Sequence, residues 1–154
     1  MVSQIVSQLD SLVSQQKTPV DWDSYFCCLS LLVSSRSPCE RLHVGCVLVR
    51  DRRVLATGYN GFLPKLPHRS VVRDNHEQGT VHAEQNAVSF AAKNGIALEG
   101  ATAYVTHYTC LHCCKILLSS GISKICYLHD YRNDPLVSQF CHDSKVPVIQ
   151  LNQN

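Results

Sequence analysis

Long apolar runs, a large surplus of one charge and internal repeats are all missing from this chain of 154 residues. No stretch is long and apolar enough to span a bilayer, and Met1 to Lys17 lacks the basic start and apolar run of a signal peptide. A formal net charge of +2 argues against a strongly basic nucleic-acid-binding surface. We therefore expect a cytoplasmic globular protein that has neither a membrane nor polymeric nucleic acid as its partner.

Cysteine, by contrast, is abundant, with nine residues in the chain. Their odd number and the lack of a secretion signal argue against a disulfide framework. Cys110 and Cys113 stand apart, because their spacing is that of a metal-binding knuckle. The cysteines that lie within apolar runs are expected to be small buried hydrophobic residues: Cys27, Cys28, Cys46 and Cys126.

Hydrophobic periodicity and turn residues predict an N-terminal arm over residues 1–20, either a short helix or a loose segment, and one domain over residues 21–154. A long polar loop from Tyr59 to Thr80 interrupts the domain, and loops of this length usually have a function or are held by a bound metal ion. The predicted helices are Trp22–Ser34, His82–Asn94, Cys110–Ser120 and 134–142, and the predicted strands are His43–Arg50, Arg53–Gly58, Ala101–Thr106, Ile122–Leu128 and Val146–Leu151.

The order of these elements predicts the architecture. One helix is followed by a hairpin with Asp51 and Arg52 at its turn, and helices and strands then alternate. Strands that each follow a helix favour parallel pairing, whereas the hairpin is antiparallel. We therefore predict an α/β fold, a three-layer α/β/α sandwich around a five-stranded mixed sheet.

The strongest chemical signal combines His82-Ala83-Glu84 with the pair Cys110 and Cys113. Cys110 and Cys113 lie three residues apart at a predicted helix start, so their thiols face the same way. Three nitrogen and sulfur ligands with one open position are typical of a catalytic zinc, whereas four protein ligands would indicate a structural one. We predict one Zn²⁺ per chain on His82, Cys110 and Cys113.

Glu84 follows the histidine by two residues, close to the metal but not bound to it. Zinc lowers the pKa of a bound water to about 7, which supplies a hydroxide nucleophile. Glu84 can then move the proton from that water to a ring nitrogen and to a departing amine. A redox or structural zinc protein without turnover is the alternative, and Glu84 argues against it. His112 and Cys114 could compete as ligands but are interpreted as bystanders.

The chain resembles the deoxycytidylate (dCMP) deaminase family of the cytidine deaminase superfamily. The resemblance runs from about Tyr25 to Leu151, and Thr57-Gly58-Tyr59-Asn60-Gly61-Phe62 is its most discriminating part. The other matching stretches are 36–39, 44–49, 82–87, 100–107, 110–113 and 127–131. The resemblance implies hydrolysis of dCMP to dUMP and ammonia for thymidylate synthesis. Action on dCTP, or on a free cytosine nucleoside, is the alternative.

The resemblance also implies roles for substrate-binding residues. Asn60 would bind the sugar, and the backbone of Ala83 would meet the pyrimidine carbonyl. Arg36 and Ser37 would contact the phosphate, and a phosphate needs such cations or donors. Tyr131 and Arg132 lie near the family's aromatic lid on the base. Thr109 occupies a position where the family usually has proline, and a threonine there can cap the helix.

Regulation and assembly follow from the resemblance as well. Family members are commonly homohexamers, and many are allosteric enzymes activated by dCTP and inhibited by dTTP. The implied regulatory loop comprises Gly58, Tyr59, Asn60 and Gly61, and Mg²⁺ would accompany a nucleoside triphosphate effector. Some relatives carry a second, structural zinc, for which Cys39, His68 and His76 are the candidate ligands here.

Overall fold

The computed structural model describes residues 3–151, so Met1 and Val2 of the predicted arm and residues 152–154 of the predicted domain lie outside the described residues. The helices are α1 (Gln4–Ser14), α2 (Trp22–Ser34), α3 (Ala83–Lys93), α4 (Leu111–Ser119) and α5 (Pro135–Asp143). The strands are β1 (Gly45–Arg50), β2 (Arg53–Tyr59), β3 (Gly61–Phe62), β4 (Val72–Arg73), β5 (His76–Glu77), β6 (Thr80–Val81), β7 (Thr102–His107), β8 (Lys124–His129) and β9 (Val148–Gln150).

The main sheet has five strands in the order β2-β1-β7-β8-β9. β1 pairs antiparallel with both β2 and β7, whereas β7, β8 and β9 run parallel. The predicted five-stranded mixed sheet is therefore confirmed. Parallel neighbours need a crossover, and α4 and α5 supply the two crossovers here.

Both faces of the sheet are buried, as β1 illustrates. Its alternate side chains point to opposite faces. Cys46 and Leu48 belong to the large core that α3, α4 and α5 cover, whereas Val47 and Val49 pack with Phe26 of α2 on the other face. This arrangement confirms the predicted three-layer α/β/α sandwich.

Local sequence signals explain where the elements begin and end. The Asp21 carboxylate accepts a hydrogen bond from the Ser24 backbone N–H at 2.9 Å, which confirms Asp21 as the N-cap of α2. Asp51 and Arg52 both have positive φ, of 52° and 61°, as the two-residue hairpin turn requires. Gly95 and Gly121 follow the ends of α3 and α4 in the left-handed conformation that closes helices.

The N-terminal arm contains a helix, α1, whose N-cap Ser3 accepts a hydrogen bond from the Val6 N–H at 3.3 Å. No residue of α1 is buried, and its apolar side chains, such as Leu9 and Leu12, are exposed. The boundary between the N-terminal arm and the domain at residue 20 stays a prediction. Across residues 3–151, no helix combines the length and the apolar character that crossing a membrane requires.

The structure differs from the sequence-based expectation in three places. The segment from Tyr59 to Thr80 is not a plain loop, because β3 pairs with β6 and β4 pairs with β5 within it. Cys28 is exposed, although its apolar neighbours predicted burial, because it lies on the outer face of α2. Predicted element ends deviate by one or two residues, since helix and strand termini fray.

Gly45 lies where β1 packs closely against the backbone of α2. A Cβ atom there would overlap the Ser30 carbonyl oxygen and lie 2.7 Å from the Ser34 nitrogen, and both are backbone atoms that cannot turn aside. We expect Gly45→Ala to lower the free energy of unfolding by about 1–3 kcal/mol, as overpacking does. Urea titration followed by circular dichroism measures the change. Cys28→Ala, on the exposed face of α2, is the control, and equal stability of both variants would contradict this packing.

Candidate active site

Two helix N-termini converge on one end of the sheet. His82 is the N-cap of α3, and its backbone N–H donates to the Gln85 side-chain oxygen at 3.3 Å. Cys110 is the N-cap of α4, and Cys113 lies in the first turn of that helix. The prediction that Thr109 caps this helix is wrong, because the chain enters α4 one residue later. The positive ends of both helix dipoles favour thiolates here.

The side chains of His82, Cys110 and Cys113 meet at a single point. The His82 Nδ1 lies 3.6 Å from the Cys110 Sγ and 3.5 Å from the Cys113 Sγ. All three donor atoms lie within 4.8 Å of one another. The Cys113 thiol and the His82 ring lower the pKa of Cys110 to about 3, so a thiolate is ready at neutral pH. One imidazole and two sulfurs form a set that zinc favours, and these residues fit the metal.

Glu84 lies in the first turn of α3 and is 4% exposed. Burial raises the pKa of its carboxyl group. A carboxyl group with a raised pKa holds a proton more readily, as a group that both accepts and donates protons requires. The buried Thr109 hydroxyl lies beside this carboxyl group, and as a hydrogen-bond donor it opposes that rise in pKa.

A cavity of about 350 Å³ opens above these groups. Its lining contains most of the residues that the sequence singled out: Asn60, His82, Ala83, Glu84, Cys110, Tyr131 and Arg132. The cavity runs from the buried Glu84 outward to Tyr131, which is 37% exposed. It can therefore hold a small molecule with one end near the three metal-binding side chains and the other end near solvent.

Asn60 braces the wall of this cavity. Its Nδ2 donates to the Leu42 carbonyl at 2.7 Å, and its Oδ1 accepts from the Val44 N–H at 2.8 Å. The side chain thus holds the segment that leads into β1, while one amide hydrogen and one lone pair stay available to a ligand. Ser37 is buried and donates to the Asn60 carbonyl at 2.8 Å.

Comparisons with known proteins agree with this geometry. The profile described as "Cytidine and deoxycytidylate deaminase zinc-binding region" matches residues 20–129. The chain is 38% identical over 136 residues to the ComE operon protein 2 of Bacillus subtilis, covering 86% of this chain and 72% of that protein. The chain belongs to the cytidine and deoxycytidylate deaminase family.

Two further relatives place this deaminase within the family. It is 38% identical over 122 residues to the deoxycytidylate deaminase of Mycobacterium phage D29, covering 70% of this chain and 94% of that protein. It also resembles the crystal structure of the dCMP deaminase from the cyanophage S-TIM5 in complex with dCMP and dUMP. That likeness has a TM-score of 0.78 at 26% identity and covers 87% of this chain and 99% of the other.

Some predicted residues of the deaminase lie apart from the cavity. Arg36 is exposed at the end of α2, and neither Arg36 nor Ser37 lines the cavity. In the part of the chain that the structure describes, His82, Cys110 and Cys113 form the one metal-binding group, so Cys39, His68 and His76 are not brought together. Cys39 and His76 line the cavity, whereas the His68 ring stacks on Phe62 at 5.0 Å between centroids.

The predicted regulatory loop of the deaminase, Gly58 to Gly61, lies against α3. A Cβ atom on Gly58 would overlap the Ala83 carbonyl and lie 2.5 Å from the Ala87 nitrogen, so a glycine allows this close approach. The Tyr59 carbonyl accepts from the Asn86 side chain at 2.9 Å. These contacts tie the loop to the helix that carries His82 and Glu84. Effector binding by the loop stays a prediction.

Glu77 and His107 are among the lining residues of the deaminase that sequence reasoning missed. The Glu77 carboxylate accepts hydrogen bonds from the Ser70 hydroxyl, from the Val71 N–H at 3.0 Å and from the Gly79 N–H at 2.6 Å. It thereby shapes the long loop beside the cavity. His107, at the end of β7, also lines the cavity. A polar residue at the end of a strand that leads to the metal knuckle was the available signal for His107.

Proposed function

We propose that this deaminase hydrolyses dCMP to dUMP and ammonia, supplying dUMP for thymidylate synthesis. The observation that carries the proposal is a buried carboxyl group, Glu84, which lines one cavity together with His82 and Cys110, with Cys113 completing the group of three donor atoms. The D29 relative is named a deoxycytidylate deaminase, and the S-TIM5 structure contains dCMP and dUMP. Both names support a deoxycytidine monophosphate as substrate.

Each residue of the site has a role in this reaction. His82, Cys110 and Cys113 hold Zn²⁺, which when bound supplies Lewis-acid activation of water. Glu84 accepts one proton of the attacking water and delivers it to N3 of the cytosine ring. It then takes the second proton from the same oxygen, now bonded to C4, and delivers it to the amine, which leaves as ammonia when the C4–N bond breaks. The backbone N–H of Ala83 donates to the pyrimidine carbonyl and thereby fixes the orientation of the ring.

The remaining predicted contacts belong to the same proposal. Asn60 uses its free hydrogen-bonding capacity for the deoxyribose, and Tyr131 covers the base with Arg132 beside it. The Arg132 guanidinium already lies 5.6 Å from the centre of the Tyr131 ring. Arg36 and Ser37 contact the phosphate only if the substrate extends beyond the cavity lining toward the end of α2.

Initial rates on three substrates test the proposal. The purified zinc-loaded protein is incubated with dCMP, dCTP and deoxycytidine, and the loss of cytosine absorbance is followed. We expect the highest kcat/KM for dCMP. Faster turnover of dCTP would identify the triphosphate as the substrate instead. Rapid loss of deoxycytidine alone would contradict the proposal that the substrate is a nucleotide. No loss with any of the three would overturn the cytosine deaminase activity itself.

Assembly and regulation form the finer part of the proposal. We propose a cytoplasmic homohexamer that dCTP with Mg²⁺ activates and dTTP inhibits through the loop Gly58, Tyr59, Asn60 and Gly61. Sedimentation velocity measures the assembly, and rates with added dCTP or dTTP measure the regulation.

A further inference from the structure

A short hydrogen-bonded relay fixes the imidazole of His107. The Gly45 N–H donates to the Thr106 Oγ1 at 3.1 Å, and that oxygen lies 2.9 Å from the His107 Nδ1. Thr106 is 1% exposed, so its hydroxyl proton needs a partner inside the protein. Nδ1 is the acceptor that the structure provides, which places the proton of a neutral imidazole on Nε2.

The surroundings of His107 favour that neutral form. Burial, and then the neighbouring His129, lower the pKa of His107. The two imidazole rings lie 5.2 Å apart between centroids. At neutral pH His107 therefore presents a single fixed donor, Nε2–H, on a ring that lines the cavity.

The position of His107 indicates what this donor meets. The floor of the cavity lies at the buried Glu84, and the cytosine amine must reach that floor. The opposite end of a nucleotide is its phosphate, which then lies toward the exposed part of the wall. The Tyr131 ring, which bounds the base on this outer side, lies edge-on to His107, 6.1 Å away between ring centroids, and the Arg132 guanidinium lies 5.6 Å from the same ring. Asp134 also lines this part, but its carboxylate accepts the Leu136 N–H at 2.9 Å as the cap of α5.

We propose that His107 donates a hydrogen bond from Nε2 to the 5′-phosphate of the substrate and thereby selects nucleotides over nucleosides. The inference rests on the proposed function, because it names the group that recognises the phosphate of the same substrate. Thr106 is the positioning residue, since its hydroxyl holds the imidazole in the donating tautomer. A phosphate oxygen is a strong acceptor, and hydrogen bonds to charged groups are the strong ones.

Two substitutions of His107, by glutamine and by asparagine, test whether Nε2 is the donor to the phosphate. The side-chain nitrogen of glutamine reaches about as far as Nε2, whereas that of asparagine reaches only as far as Nδ1. We expect His107→Asn to lower kcat/KM for dCMP about 10- to 100-fold, mainly through KM, and to leave deoxycytidine turnover unchanged. His107→Gln should keep most of the dCMP activity. His142→Gln, an exposed histidine of α5, is the control for the loss of a histidine.

The outcomes separate this inference from the proposed function. If the unsubstituted protein is inactive on all cytosine substrates, the proposed function is wrong. Equal losses on dCMP and deoxycytidine in His107→Asn, with the unsubstituted protein active on dCMP, sink only the phosphate contact.

Histidine nitrogen NMR of the zinc-loaded protein gives a second readout that does not depend on turnover. We expect His107 to show the Nε2–H tautomer and its Nε2 signal to shift when dUMP is added. Thr106→Val should populate both tautomers, and Thr106→Ser should restore the single one. A His107 that carries its proton on Nδ1, or that does not respond to dUMP, contradicts the proposal.

Discussion

Replacing Glu84 with glutamine is expected to lower kcat by about 10²–10⁴-fold or more while the zinc content stays at one ion per chain. The amide has the shape of the carboxyl group but can neither accept the proton of water nor pass it to the ring. Because the side chain is buried, solvent cannot replace it as a proton carrier. Steady-state rates on dCMP and metal analysis by atomic absorption measure the two quantities separately.

Glu40→Gln is the matched control for this substitution, because Glu40 is an exposed carboxylate outside the cavity lining. We expect its kcat and its zinc content to equal those of the unsubstituted protein. Turnover within a few-fold in Glu84→Gln would show that another group moves the proton. Loss of zinc together with activity would instead show that Glu84 contributes to metal binding.

Removal of a metal-binding sulfur should have the second large effect. In Cys113→Ala only the His82 nitrogen and the Cys110 sulfur remain of the three clustered donors. We expect loss of the bound zinc and of all measurable dCMP turnover. Zinc that binds only the folded chain also stabilises it, so the melting temperature should cease to rise when zinc is added. Calorimetry with and without zinc measures this dependence.

The neighbouring Cys114 provides the control, since it is equally buried and lies in the same helix turn. Its Sγ lies 3.6 Å from the Cys141 Sγ and outside the metal-binding group. Cys114→Ala should keep zinc and activity and cost about 1 kcal/mol of stability, as a small core truncation does. If this variant lost zinc as Cys113→Ala does, the sequence-based interpretation of Cys114 as a bystander would be wrong.

The metal-binding geometry could be predicted because it depends on local sequence. His82 and Cys110 each lie directly before a helix whose apolar spacing is regular, so the helix starts place both side chains within a residue of the prediction. The alternation of helices and strands likewise predicts the mixed sheet. In each case the signal is contained in a window of a few residues, which single-sequence reasoning can read.

The cavity wall could not be predicted, because long-range hydrogen bonds build it. The Asn60 side chain bonds to Leu42 and Val44, 18 and 16 residues away. Thr106 likewise reaches Gly45, 61 residues earlier in the chain. Such bonds leave no periodicity in the sequence. β3 and β6 were missed for the same reason, because their pairing joins Phe62 to Thr80 across the predicted loop Tyr59–Thr80.

The two outer strands of the main sheet differ from the long, flat edges that recruit foreign strands. β2 forms one edge, carries Arg53 at its start, and its pairing with β1 is irregular between Leu48 and Val49. β9 forms the other edge and, among the described residues, is three residues long. A bulged edge with a charge and a very short edge are both poor templates for cross-β growth. This sheet is therefore protected against aggregation by its edges, even though its interior strands are strongly apolar.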